Sequence, residues 1–331
     1  MKLIVQIPCY NEEATLPATI ADIPREIPGI DVVEVLVIDD GSHDGTAEAA
    51  LVAGADHLVR LKSNKGLARA FCAGMDASLK NGADIVVNTD ADNQYMGADI
   101  PKLIAPILDG HADLVVGDRQ TASIAHFSRT KKALQWLGSS VVRRLSGTDV
   151  LDTVSGFRAF SREAAIRINV LSNFSHTIET IIQAGKRGLT VTSVPVRTQR
   201  TERPSRLFKS IPQFIQNSLI TMVRVYAMYK PLRVFFYTGL LMFLIGTAPI
   251  MRFLFFYIQG NGQGHIQSLL LGSMFVVLGV LSWLIGLVAD LIAFNRQLQE
   301  LTLERVKRLE LAQMAQDKGP PRQGRPTDMT D

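Results

Sequence analysis

Two carboxylates, Asp90 and Asp92, stand two positions apart directly after the apolar run DIVVNT. At the end of a strand such a pair can face one ion, and hard oxygen ligands of this kind suit Mg2+ or Mn2+ shared with substrate phosphates. Zinc-type clusters are missing. His43, His57, His111, His126, His176 and His265 are scattered, and Cys9 and Cys72 read as core thiols in a reduced compartment. An isolated D-x-D is equally at home in a solvated turn, so its neighbours decide what it means. Three polar stretches accompany it, PCYNEE, DDGSHDGT and DADNQ, and each follows an apolar run.

Those runs, KLIVQIP, VEVLVIDD, DHLVRL, DIVVNTD and DLVVGD, are short and rich in Val, Ile and Leu. Stretches that suit helices, TAEAALVAGA and LARAFCAGMDASLKNG, separate them. The alternation predicts an α/β fold with a mainly parallel sheet, and in such sheets ligands bind beyond the carboxyl ends of the strands. The polar stretches therefore gather at one rim. Neither G-x-x-x-x-G-K-[ST] nor a strand leading into G-x-G-x-x-G occurs, which argues against a P-loop ATPase and a standard dinucleotide enzyme. With 331 residues, 47% hydrophobic and 20% charged, the chain can bury a sizeable core, and a net charge of +4 is too mild to indicate a nucleic-acid partner.

PCYNEEATL, VLVIDDGSHDGT, NKGLARAFCAG, TDADNQY, DTVSGFRAF and a late RPSRL occur in the order seen in family 2 glycosyltransferases of the GT-A fold. More narrowly, the chain resembles the polyprenyl-phosphate glycosyltransferases, a group that includes dolichol-phosphate mannose synthases and undecaprenyl-phosphate glucosyltransferases. The motifs cover residues 1 to about 210. The resemblance implies that Pro8, Tyr10, Glu12 and Asp40, with Asp39 beside them, hold the base and ribose of a UDP- or GDP-sugar. It implies that Asp90, Asp92 and Gln94 hold the divalent cation and the diphosphate. Arg203, Ser205 and Arg206 match a basic segment that closes over the nucleotide phosphates, although the family often has Lys where Arg206 stands. Ser155, Gly156, Phe157 and Arg158 match an SGFR element near the acceptor phosphate, and Arg119 or Arg129 falls where the family places an arginine for that phosphate. Glu179 falls at an acidic position near the substrate, or is simply a carboxylate at a helix start.

The chemistry itself asks for these residue types. Cleaving a sugar from a nucleoside diphosphate builds charge on the leaving phosphate, which a cation and arginines offset. A phosphate acceptor attacks as it stands and needs no strong base. Some bacterial relatives carry Asp at the position of Gly156 and this chain does not, so the base is left open, with Asp152 as a weak candidate. No protein nucleophile is in evidence, which implies a single displacement with inversion. Related architectures bear on the same residues: a polysaccharide synthase would carry Q-x-x-R-W, absent here, and a non-catalytic scaffold would be expected to lose one of Asp90, Asp92 or Arg203. A phosphosugar transferase would also use metal and lipid phosphate.

Residues 234–258 and 268–294 are each apolar and long enough to cross a bilayer, with the polar link QGNGQGHIQ between them. Lys230, Arg233 and Arg296 put positive charge at the outer ends of this hairpin, which predicts a multi-pass protein of the inner (cytoplasmic) membrane with its catalytic domain and both termini cytoplasmic. The start, MKLIVQIPCYNEE, has too short an apolar run for a signal peptide. Between residues 119 and 146 there are six Lys and Arg with no acidic residue, and between 197 and 233 there are eight against Glu202 alone; such clusters suit a lipid phosphate and an anionic membrane surface. The expected organisation is a catalytic domain over 1–207, an amphipathic interface helix over 208–230 (or one packed on that domain), the two spans, a cytoplasmic helix over 295–316 and a disordered tail over 317–331. The helix after the second span is a candidate for homo-oligomer contacts.

Overall fold

β1 (Lys2–Cys9) is buried along almost its whole length, as a strand covered by helices on both faces must be. It lies at the centre of a seven-stranded sheet in this computed structural model, which describes residues 1–120, 129–170, 176–199, 229–260 and 263–317, with 220, 224 and 226. The other strands are β2 (Val32–Asp39), β3 (His57–Arg60), β4 (Ile85–Asn88), β5 (Leu114–Asp118), β6 (Arg158–Ser161) and β7 (Val191–Pro195), in the order β3-β2-β1-β4-β6-β5-β7. All neighbours are parallel except β6, which runs antiparallel to both β4 and β5. The five strands expected from the apolar runs are present. β6 and β7 are too short and mixed in composition to announce themselves.

Helices α1 (Leu16–Ala21), α2 (Thr46–Val52), α3 (Leu67–Lys80), α4 (Ile100–Leu108), α5 (Arg129–Ser146), α6 (Arg162–Arg167) and α7 (His176–Lys186) complete this unit. Register sets the rim: Cys9 pairs with Asp39, Gln6 with Asn88, and Asn88 with Arg158. The carboxyl ends of β1, β2 and β4 thus open on the same side as the amino end of β6.

Two compact units divide the chain, one over 1–204 with 301–331 and the other over 205–300. The second contains α8 (Pro231–Ile258) and most of α9 (Ile266–Asp317), which runs unbroken through residues 268–294 and 295–316. Both helices are long and apolar enough to cross a membrane, and most of their large side chains face outward, Phe255 and Leu270 among them. They touch through glycines at seven-residue intervals. A Cβ on Gly246 would lie 2.6 Å from the Gly272 carbonyl oxygen, and one on Gly239 would lie 2.7 Å from that of Gly279. Bare glycines let the two backbones approach until packing and polar contacts hold them, here with Trp283 Nε1 donating to Phe236 O at 3.1 Å and Ser282 Oγ to Phe235 O at 3.0 Å. In the first unit the last turns of α9 carry ion pairs to the catalytic fold: Lys307 to Asp76 at 2.7 Å, Arg308 to Glu163 at 2.6 Å, and Arg187 to Glu304 at 2.9 Å.

His176, at the start of α7, is buried, stacks on Phe71 at 4.8 Å between centroids, and leaves Nε2 without a hydrogen-bond partner. Burial, and secondarily the Arg158 charge, pull its pKa down to about 3. In the unfolded chain a histidine titrates near 6.5, so between those values only the unfolded state takes the proton. Stability is therefore expected to fall as pH drops from about 6.5 towards about 3, by at most about 1.4 kcal/mol per pH unit from this group. Melting curves of the full chain in detergent between pH 7 and pH 4.5 should show a shallower acid slope for His176→Phe; an unchanged slope would remove His176 as its source.

Candidate active site

The loops after β1 and β2 are locked to each other by short polar side chains. Asn11, at φ +54°, donates its N–H to Ser42 Oγ at 2.9 Å, and its own Oδ1 accepts the His43 N–H at 2.9 Å. Glu12 N–H donates to Thr46 Oγ1 at 2.9 Å. Gly41 adopts φ +71°, and a Cβ there would lie 2.6 Å from the Ser63 carbonyl carbon, so the loop before α3 passes directly over it. Asp40 fastens that loop, accepting from Lys65 N–H at 2.7 Å and Gly66 N–H at 2.8 Å.

This divides the work of the two neighbouring carboxylates. Asp40, expected to touch the nucleotide, uses both oxygens on backbone amides. Asp39, expected beside it at the nucleotide, is fully buried; Oδ1 accepts from Ser42 N–H, whereas Oδ2 makes no hydrogen bond and has Arg60 Nε 3.1 Å away as an ion-pair partner. The Asp39 carboxylate thus closes the end of β2 with Arg60 as the ionic partner of its second oxygen. Pro8 lies in β1, and Tyr10 stands half-buried with its ring edge-on to His43 at 6.4 Å. The acidic rim also bears on Cys9: burial first, then Asp39 and its acidic neighbours, raise that thiol far above its ordinary pKa and leave it a packing residue.

β4 ends at Asn88, and the chain turns through Asp90 and Asp92. Asp92 Oδ1 accepts the Gln94 N–H at 3.1 Å, closing a tight turn in which Asn93 takes φ +52°. Burial, and then the Asp92 charge, push Asp90 up to about 6, while Arg119 and Arg158 pull the other way. Two carboxylates that repel each other in a confined place form a fitting donor set for a small divalent cation. Among the described residues no group of three or more His, Cys, Asp and Glu converges, so the remaining ligands would be water and phosphate oxygens, the usual habit of Mg2+. Gly156 supplies the floor: a Cβ there would lie 2.8 Å from Asp90 Oδ1. Its N–H donates to Tyr95 Oη at 3.2 Å, and Tyr95 stacks on Phe157 at 5.1 Å.

The arginines separate into different roles. Arg119, just past β5, forks onto the buried Asp152, Nε to Oδ2 at 2.7 Å and Nη2 to Oδ1 at 3.0 Å. That pair raises the Arg119 pKa further, and Nη1 keeps no partner among the described residues. Asp152, the weak candidate for a base, is thereby committed to orienting a guanidinium. Arg158, expected at the acceptor phosphate, is turned into the core as the first residue of β6. It donates to Ser155 O, Thr177 O, Thr180 Oγ1 and Thr153 O at 2.8, 2.6, 2.5 and 2.9 Å. Four acceptors on the chain itself make it a brace between β6 and α7. Glu179 is buried in α7 and accepts from Gln183 Nε2 at 3.2 Å. The Arg129 backbone begins α5; its side chain, and Arg203, Ser205, Arg206 and most of 208–230, lie outside the described residues. Asn88 and Tyr95 are the contributors to which motif reading gave no role, because each acts on another residue of the chain and not through a recognisable spacing.

Comparison with known proteins places this geometry. The model for "Glycosyl transferase family 2" matches residues 4–168, and that for the "GtrB C-terminal hairpin" matches 230–294. A Haloferax volcanii protein named dolichyl-phosphate hexose transferase is 32% identical over 194 residues, which cover 59% of this chain and 81% of the relative. The chain belongs to glycosyltransferase family 2. An undecaprenyl-phosphate mannosyltransferase from Micrococcus luteus is 28% identical over 206 residues, covering 59% of this family member and 83% of the relative. In fold, this glycosyltransferase resembles glucosyl-3-phosphoglycerate synthase from Mycobacterium tuberculosis in complex with Mn2+, UDP-glucose and phosphoglyceric acid, with a TM-score of 0.52 at 24% identity over 67% of this chain and 79% of that one.

If Asp152 orients Arg119 and takes no proton, Asp152→Asn should lower transfer by about tenfold or more while leaving the shape of the pH–rate profile intact. A profile in which the acid limb vanishes in the variant would instead make Asp152 the base.

Proposed function

We propose that this enzyme moves one sugar, with inversion, from a UDP- or GDP-sugar to a polyprenyl phosphate such as undecaprenyl phosphate, at the cytoplasmic face of the membrane. The observation that supports the reading is that the carboxylate of Asp90 feels the charges of Asp92 and of Arg119, and that Arg119 is itself forked onto Asp152. The apolar hairpin supports a lipid-borne acceptor, as do relatives named for undecaprenyl-phosphate and dolichyl-phosphate transfer.

In this reading Asp39 and Asp40, with Pro8, Tyr10 and Glu12, stand at the base and ribose, and Asp90, Asp92 and Gln94 would hold Mg2+ or Mn2+. When bound, the cation would offset the charge that develops on the leaving diphosphate. Arg119 turns its Nη1 to the acceptor phosphate and aligns one of its oxygens with the anomeric carbon. That oxygen is already anionic, so the protein supplies position and charge and no base. One displacement inverts the anomeric centre and releases the whole nucleoside diphosphate. Arg203 and Arg206 are proposed for its phosphates. The chain after β7 runs against the metal turn, with Gln199 N–H donating to Gln94 O at 2.8 Å, and four further residues reach at most about 14 Å. Lys230, Arg233 and Arg296 would hold the outer ends of the hairpin on the cytoplasmic side.

Two experiments bear on this reading. Asp92→Asn should reduce transfer by at least about a thousandfold in a protein that still folds and inserts; full activity there, or in wild type with excess EDTA, would remove the metal from the mechanism. A donor labelled at the phosphate next to the sugar should leave its label in free UDP or GDP. Label in the lipid product would mean attack at phosphorus and a phosphosugar transferase.

A further inference from the structure

The two oxygens of Asp90 face a glycine that has no side chain to hold it there. The Gly156 peptide sits in the link between Asp152, which braces Arg119, and Arg158, which is anchored in the core, and a displacement of a few tenths of an ångström would change the floor under Asp90. Two side chains fix it. Tyr95 Oη accepts the Gly156 N–H at 3.2 Å, and on the opposite edge Asn88 Nδ2 donates to the Gly156 carbonyl at 2.8 Å. Asn88 is in turn held from β1, where Gln6 Nε2 donates to Asn88 Oδ1 at 2.9 Å. Both amides are buried. Strand register makes this alignment: Gln6 stands opposite Asn88 on the parallel side and Arg158 stands opposite it on the antiparallel side.

We infer that Asn88 is a positioning residue for the metal site, its carboxamide bridging Gln6 and the Gly156 carbonyl so that Gly156 stays seated against Asp90. The amide suits both ends at once. Its oxygen accepts from β1 and its nitrogen donates to the turn before β6, whereas an ionised Asp only accepts, Leu does neither and Ser is too short to span both partners. Gln6 is a support and not a second positioner, since its own Oε1 has no hydrogen-bond partner and it never touches Gly156.

This inference rests on the reading that Asp90 and Asp92 hold the cation. Its test uses the full chain in detergent, with Mg2+-dependent binding of UDP, or of GDP if wild type prefers it, followed by thermal shift beside transfer rates. Asp90→Asn is the reference: if that variant keeps wild-type Mg2+-dependent binding, the metal reading itself fails. Asn88→Leu, and the paired change Gln6→Leu with Asn88→Leu, which leaves an apolar pair at that place, should weaken Mg2+-dependent nucleotide binding by about tenfold or more and leave Mg2+-independent binding unchanged. Gln6→Leu alone should stay within about threefold of wild type on both measures. Asn88→Ser, too short to reach the carbonyl, keeps the test available if the leucine variants fold poorly and should match their loss. The inference is overturned if folded Asn88 variants bind and transfer as wild type while Asp90→Asn does not, or if Gln6→Leu is as damaging as Asn88→Leu.

Discussion

The antiparallel insertion of β6 between β4 and β5 is the constraint on which the site depends. In a wholly parallel sheet the segment that enters a strand arrives at the rim remote from the ligands. Here β6 runs the other way, so its entering turn, Asp152 to Phe157, arrives beside the exit of β4. One register, Asn88 opposite Arg158, then places a glycine against Asp90, a carboxylate behind Arg119 and an aromatic pair beneath both. Residues 33 to 68 positions apart become one rigid wall, with hydrogen bonds fixing their separation.

Charge is managed along that wall by giving each ion a different answer. Arg158 is surrounded by neutral acceptors and keeps its charge through hydrogen bonds, Arg119 through a forked carboxylate, and Asp90 by neither. A buried carboxylate beside a second one is the costly arrangement, because removing water penalises the charged form and the neighbour adds repulsion. Such a cost persists where binding relieves it. In the proposed function a cation would relieve it, and the nucleoside diphosphate that follows would bring its own charge to the same place.

Much of this was legible in the sequence. Five strands were visible as Val, Ile and Leu runs, and the two apolar helices as lengths of chain no soluble core commonly needs. The three rim loops were visible because strands of that kind end where polar residues begin. Arg158 was legible as a motif and misleading as a role: an arginine in a polar turn suggests a ligand, and only pairing with β4 turns its first residue inward. Asp39 and Asp40 could not be told apart by order alone, since which of them meets the loop before α3 depends on the close pass of Ser63 over Gly41. Asn88 carried no signal, because an amide at a strand end has many uses and its partner at Gly156 lies across the sheet.

The hairpin shows a simpler code. Glycines at 239 and 246 on one helix, and at 272, 279 and 286 on the other, repeat every seven residues, so the same face of each helix returns every two turns and the contact stays in line along the pair. Between apolar helices no water is released on association, so close packing has to supply what the hydrophobic effect does not. A hairpin built this way has its outward face left to bulky apolar residues such as Phe255 and Leu270. A lipid-borne acceptor is confined to the same two-dimensional phase as such an anchor, and that confinement raises its local concentration without any contact made by the catalytic residues. In the proposed function the active site can then be built for charge and alignment alone, the chemistry proposed for Asp90, Asp92 and the braced Arg119.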